Sequence, residues 1–231
     1  MQRFESKVVW ITGASSGIGA ALAESFAQEG ATLILSARRR DELEHVVARC
    51  AGSGHLVLPL DLTKSETFAS SVDAVHRRFG RVDILVHNGG ISQRALAQDT
   101  RLEVDRRLME VNYFGAVALT KAVLPAMLAA KAGQLVVISS VAGKVGTPLR
   151  SAYSATKHAL HGFFDCLRAE VTEAGLVVTL ICPGYIRTDV SKNALTGDGT
   201  PTNETGQDIA GGHPADLTAK QILDAVHAKA S

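Results

Sequence analysis

A doubly wound α/β fold with a parallel sheet is the architecture this chain predicts, and three observations lead there. Short apolar, β-branched runs recur along it, stretches with helical spacing separate them, and a glycine-rich turn joins the first run to the first helical stretch. The runs are "KVVWITG" (7–13), "ATLILSA" (31–37), "HLVLPLD" (55–61), "VDILVHN" (82–88), "QLVVISS" (134–140) and "LVVTLICP" (176–183). They lack polar alternation, the pattern of strands covered on both faces, as parallel strands are. Between them Ile18, Ala21, Leu22 and Phe26 recur at helical spacing, and Leu160, Phe163, Phe164, Leu167 and Val171 do the same later. Helices on both faces of such a sheet give a three-layer sandwich.

The chain has 231 residues, 46% of them hydrophobic, which suits one domain over 1–231 better than two. Formal charge is +1, and the 24 basic residues are spread out, with their densest run at Arg38 to Arg40. A nucleic-acid surface needs a concentrated basic face, so that class is set aside. Cys50, Cys166 and Cys182 are odd in number and far apart, as expected of reduced core thiols in a cytoplasmic protein. The opening residues do not read as a secretory leader, and the longest apolar runs are about six residues, so no membrane span is expected. No His/Cys cluster has metal-ligand spacing, and no metal is expected.

The residues 196–213, "TGDGTPTNETGQDIAGGH", are rich in Gly, Thr and polar side chains with almost nothing to bury. Following the last strand, where open α/β sheets bind ligands, 190–213 is expected to form a flexible lid over a substrate. The helical pattern "PADLTAKQILDAVHAKA" ends the chain with no apolar strand after it.

The first strand runs into "TGASSGIG", Thr12 to Gly19. Glycines let a backbone turn sharply and approach a pyrophosphate, and a helix opening at about Gly17 offers free N–H groups and its positive dipole end. Gly13, Ser15, Ser16, Gly17, Ile18 and Gly19 are therefore candidates to hold a dinucleotide in a Rossmann-type unit. The second strand ends at Ala37, without the carboxylate that holds a ribose diol, and is followed by Arg38 and Arg39. Either arginine offers a fork for a 2′-phosphate, so NADP(H) is preferred and NAD(H) remains possible. The alternative is that both are solvated charges at a helix start.

Seven motifs then fall in order: "TGASSGIG", "DL" at 61–62, "HNGG" at 87–90, "VNYFG" at 111–115, "ISS" at 138–140, "YSATK" at 153–157 and "PGYIRT" at 183–188. With these the chain resembles the classical short-chain dehydrogenases/reductases over nearly its whole length. "GGISQRAL" looks closest to the dehydrogenase/reductase member 7 branch, although the anchoring N-terminus of those members is not expected here. The resemblance implies a catalytic tetrad of Asn112, Ser140, Tyr153 and Lys157, the spacing to Tyr153 selecting Ser140 over Ser139. It further implies that Asp61 and Leu62 meet the adenine, that Asn88 and Gly89 line the cofactor channel, and that Pro183, Gly184, Ile186 and Thr188 hold the nicotinamide carboxamide. "HNGG" departs from the commoner "NNAG" in placing His87 where an asparagine is usual. Homodimers or homotetramers through helices around 101–130 and 151–174 are also implied.

Tyr153 and Lys157 stand one helical turn apart and share a face. Reducing a carbonyl needs a proton at the developing alkoxide, and a tyrosine hydroxyl with an ordinary pKa of about 10 is a poor donor near neutrality. A cation one turn along favours the phenolate, so the pair reads as an acid and its tuner, with Lys157 also bonding the cofactor ribose. Ser140 at a strand end can orient the substrate oxygen. Asn112 reads either as a water-mediated relay to Lys157 or as a satisfied core amide. His158 points about 100 degrees away and is read as packing or interface. The activity expected is interconversion of a small carbonyl and a secondary alcohol. Rivals are reduction of a 3-oxoacyl group on an acidic carrier, for which Arg94, Arg106, Arg107 and Arg150 are a candidate patch, and a non-catalytic NADPH-binding regulator.

Overall fold

The apolar runs become the sheet. In the computed structural model, which describes residues 2–204 and 206–230, they form β1 (Val8–Thr12), β2 (Thr32–Ser36), β3 (Leu56–Val57), β4 (Ile84–His87), β5 (Gly133–Ile138) and β6 (Leu176–Ile181). All pair in parallel, in the order β3, β2, β1, β4, β5, β6. The order reverses between β1 and β4, and ligands in such sheets bind outside that reversal. The expected strands overran by one or two residues, and several of the overrun residues line the cavity described below. β3 is cut to two residues because Pro59 cannot donate to a ladder, yet Leu58 and Leu60 still donate to the carbonyls of Leu35 and Ala37.

The helices are α1 (Gly17–Gln28), α2 (Arg40–Val47), α3 (Phe68–Phe79), α4 (Leu102–Met109), α5 (Gly115–Ala130), α6 (Ser151–Val171), α7 (Gln207–Ala210) and α8 (Ala215–His227). Their ends follow local chemistry. α3 closes with His76, Arg77 and Arg78 in its last turn and Gly80 in the left-handed conformation, which suits both the dipole and the steric demand of the cap. A two-stranded parallel pair, β7 (Ile186–Arg187) with β8 (His213–Pro214), stands apart from the main sheet.

Alternate strand residues feed two cores. Val9, Ile11, Leu33, Leu35 and Val86 pack with Leu22 and Phe26 of α1 and with Ile222 and Leu223 of α8. Trp10, Ile34, Leu85, Leu135 and Val137 pack on the other face with Val72 of α3, Leu119 of α5 and Phe164 of α6. Period-two alternation therefore exists, but both faces are apolar, which is why the sequence showed none. Trp10 is fully buried, and its indole N–H donates to Ser36 Oγ at 2.9 Å.

Three features add to what the sequence suggested. α4, a π-helical turn at Glu110–Phe114 and α5 join into one helix, Leu102–Ala130, of 29 residues, within which an 18-residue window reaches a mean hydropathy of 1.5. By length and composition alone that window is long and apolar enough to cross a bilayer, as the core helix of a soluble protein also can be, and the short apolar runs did not reveal it. The helix packs on the sheet through Leu119, Val123 and Met127. Cys166 is exposed, while Cys50 and Cys182 are half-buried, so they are not uniformly core thiols. In the 190–213 segment Ser191, Ala194 and Leu195 are buried ahead of the polar stretch 196–213, within which Ile209 is buried. Leu195 exchanges backbone hydrogen bonds with Ser92 and Arg94, and Arg101 N–H donates to Gly197 O. Its described part is a wall tied to the loop after β4.

Candidate active site

The carboxyl ends of the strands open on a cavity of about 1290 Å³. At one end lies the glycine turn. Gly13 has φ +64°, and a Cβ there would lie 2.6 Å from Gly89 Cα, so only glycine lets the loops after β1 and β4 approach this closely. Asn88 stitches the loops together, its Nδ2 donating to the carbonyls of Thr12 (3.2 Å) and Gly13 (3.1 Å). Thr12 Oγ1 accepts the backbone N–H groups of Asn88 and Gly89 and donates to Val86 O. Sequence reasoning missed Thr12, whose role depends on a strand neighbour over seventy positions away.

Ser15, Ser16, Gly17 and Ile18 line the cavity where α1 begins. Ser16 makes no side-chain cap bond, and α1 has no acidic residue in its first turn, so the N–H groups and dipole there favour an anion. Gly19 does not line the cavity. A Cβ on it would come within 2.3 Å of Gly13 O, so it serves close packing of α1 on the turn.

Arg38, Arg39, Asp61 and Leu62 line the same end. Arg39 Nη1 lies 3.5 Å from Glu42 Oε1, whereas Arg38 forms no ion pair among the described residues. Asp61 Oδ1 accepts from the backbone and hydroxyl of Thr63 at 3.0 and 2.9 Å. Those bonds, chiefly the backbone one, with help from the Arg38 and Lys64 charges, hold its carboxyl below the usual range.

Ser140, Tyr153 and Lys157 line the middle of the cavity, with Pro183, Gly184, Ile186 and Thr188 beside them. Tyr153 is presented by α6, whose first-turn N–H groups find an acceptor in Gln93: Oε1 accepts from Ala152 N (2.9 Å) and Tyr153 N (3.4 Å). Gln93 is fully buried, and nothing in its local sequence marked it. Ser140 hydrogen-bonds the Tyr153 side chain and accepts from Ala142 N at 3.2 Å. Burial pushes the Tyr153 hydroxyl above its ordinary pKa, while Ser140 and Arg150 pull it back. The expected lowering by Lys157 is absent with the chain's own groups alone.

Lys157 is buried, and its Nζ donates to Ile138 O at 2.8 Å and lies 5.7 Å from the Tyr153 ring centroid. Loss of hydration lowers its pKa to about 8, opposed by Cys182. A lysine that titrates lower folded than unfolded costs stability at neutral pH, and the cost is relieved as pH rises from about 8 to its ordinary 10.5. That shift corresponds to ~3 kcal/mol at 1.36 kcal/mol per unit. Lys157→Met is therefore expected to melt at or above the wild-type temperature at neutral pH, with the gap shrinking toward pH 10. The net gain is smaller than the full shift, because Ile138 O loses a partner worth about 1 kcal/mol. Thermal melts across pH check this, and a variant destabilised equally at every pH contradicts it.

Asn112, in the π-helical turn, is buried and away from the cavity wall. Its Nδ2 donates to Ile91 O (2.9 Å) and Thr156 Oγ1 (3.0 Å), and its Oδ1 accepts Ile91 N–H (2.8 Å). Both amide protons are thus used. These bonds brace the loop after β4 against α6; a relay through water to Lys157 would use a carbonyl oxygen of Asn112 and not these amide protons. His87 is likewise structural: Nε2 meets Thr120 Oγ1 at 2.7 Å, and burial alone drives its pKa to about 3, leaving it neutral.

Residues 7–198 match the family model described as short chain dehydrogenase. The chain belongs to the short-chain dehydrogenase/reductase family. It is 50% identical to the Anopheles gambiae dehydrogenase/reductase SDR family protein 7-like over 97% of its length and 73% of that protein's. It is also 50% identical to human dehydrogenase/reductase SDR family member 7, over 84% of this chain and 60% of the relative. Those matches place it in the member 7-like branch. A short-chain dehydrogenase/reductase from Burkholderia phymatum, solved in complex with NAD, superposes with a TM-score of 0.88 at 26% identity, covering 99% of this chain and 88% of that one. A short-chain dehydrogenase from Streptomyces avermitilis superposes at 0.83 with 33% identity, covering 95% and 84%. This short-chain dehydrogenase/reductase is thus an oxidoreductase of a family that works with a nicotinamide cofactor, and its glycine turn, uncapped helix start and cavity fit such a group.

Proposed function

We propose that this chain interconverts a carbonyl compound and a secondary alcohol using NADP(H) in preference to NAD(H), with Tyr153 as acid and base. The observation that carries this reading is the meeting of Ser140, Tyr153 and Lys157 on the cavity that the glycine turn also lines. Gly13, Ser15, Ser16, Gly17 and Ile18 would hold the pyrophosphate, Arg38 the 2′-phosphate, and Pro183 to Thr188 the nicotinamide end. When bound, the nicotinamide supplies or accepts the hydride.

The chain's own residues do the rest. The Ser140 hydroxyl orients the substrate oxygen, and Tyr153 Oη delivers a proton to that oxygen in reduction or removes it in oxidation. Lys157 holds its positive charge behind the phenol, where it stabilises the phenolate left after donation. Because burial raises Tyr153, reduction keeps its acid protonated through neutrality, and oxidation gains from alkaline pH. A panel of aldehydes and ketones with NADPH, followed by cofactor absorbance, tests the reading. Turnover of any of them supports it, whereas stoichiometric binding without turnover favours the regulator.

We also read the chain as a homodimer or homotetramer through α5 and α6. Leu102, Phe114 and Leu128 are exposed on the 102–130 helix, and Tyr113 links edge-on to Phe114 and Phe163 at 5.0 and 6.3 Å. Sedimentation should give a dimer or tetramer that Phe114→Asp dissociates to monomer; a monomeric wild type contradicts this.

A further inference from the structure

The cavity carries charge that carbonyl reduction does not use. Arg94 from the loop after β4, Arg107 from α4 and Arg150 just before α6 all line it, with Lys144 nearby in the lining. Among the described lining residues only Asp61 and Asp189 carry carboxylates, and Asp61 belongs to the cofactor end. Arg106, the fourth candidate from the sequence, does not line the cavity. Arg150 is committed: it donates to Ser92 Oγ and lies 5.8 Å from the Tyr153 ring centroid. Arg94 and Arg107 form no ion pair among the described residues.

Arg94 is nonetheless anchored. Its backbone N–H donates to Leu195 O at 2.8 Å, and a Cβ on Gly206 would lie 3.0 Å from its Nη1. Arg107 stands next to Leu108, which packs with Leu195 and Tyr153. The same cavity carries apolar surface. Of the nine large hydrophobic side chains exposed among the described residues, Val141, Val145, Tyr185 and Val190 line the cavity.

We propose that the substrate is an amphipathic anion: a carbonyl compound whose apolar body rests on Val145, Tyr185 and Val190 and whose carboxylate or phosphate is received by Arg94 and Arg107. This rests on the reading of the chain as a carbonyl reductase. Guanidinium forks without a protein carboxylate match planar or tetrahedral oxyanions, and positive potential in a cleft with apolar walls draws them in. A neutral ketone would use the apolar wall and leave both forks to water.

The test has two arms. In the first, kcat/KM with NADPH is measured for an oxo fatty acid and its methyl ester, and for a ketone with and without a terminal phosphate. The wild type should favour the anion by about tenfold or more, as a charge-assisted bond warrants, and in Arg94→Gln/Arg107→Gln the preference should collapse toward one. Both substrates are read on one preparation, so partial misfolding cancels from the ratio. A wild-type ratio near one, or an unchanged ratio in the variant, overturns the inference while carbonyl reduction stands. In the second arm, decyl phosphate and decanoate, which cannot react, are titrated calorimetrically below their micelle concentrations. Binding that the double variant loses sustains the anion site even if no carbonyl is turned over, and the tighter of the two identifies the anion. Failure of both to bind the wild type overturns it.

Discussion

Tyr153→Phe is expected to lower kcat by about 10²- to 10⁴-fold while shifting the dissociation constant for NADPH by less than about threefold, well under the tenfold that 1.4 kcal/mol represents. The substitution removes one oxygen and keeps the ring, so the packing of α6 against Ile91 and Leu195 persists. What is lost is the phenolic proton assigned to the substrate oxygen. Steady-state kinetics with parallel cofactor titration measures both quantities, and retained turnover removes Tyr153 from the chemistry. In the wild type, the rate of alcohol oxidation should climb through alkaline pH, since burial holds the hydroxyl protonated and oxidation needs the phenolate.

Arg38→Asp should weaken NADPH by about 10- to 100-fold, as one or two charge-assisted hydrogen bonds would, and leave NADH within about threefold. Ala37 supplies no carboxylate at the end of β2 to grip a ribose diol, so discrimination falls on charge. Arg38 rather than Arg39 is the residue to change, because Arg39 already faces Glu42. The corresponding change at Arg39 should have the smaller effect. Equal losses for the two cofactors in Arg38→Asp would remove the 2′-phosphate from the account.

The sheet was legible because its strands are apolar on both faces, and the glycine turn because φ and close approach leave Gly13 no substitute. Ser140, Tyr153 and Lys157 were legible through motif spacing. What was hidden depends on partners distant in sequence. Gln93 satisfies α6 from 60 positions away, and Thr12 braces a strand 76 away. The Ile91 and Thr156 groups that hold the Asn112 amide are likewise distant from it in sequence. The direction of the Tyr153 shift was hidden for a similar reason: spacing places Lys157 on the same face, but among the chain's own groups burial outweighs the rest. In the 190–213 segment composition hid Ala194, Leu195 and Ile209, which are buried, while Val190 stays exposed.

The most direct measurement is transfer of label. Purified protein is mixed with NADPH carrying deuterium at the transferring position of the nicotinamide and with whichever carbonyl is reduced, and the alcohol is analysed by mass spectrometry. Deuterium on the carbinol carbon, in proportion to cofactor consumed and absent with Tyr153→Phe, is the result expected. Cofactor that binds without passing its label to any carbonyl would contradict it.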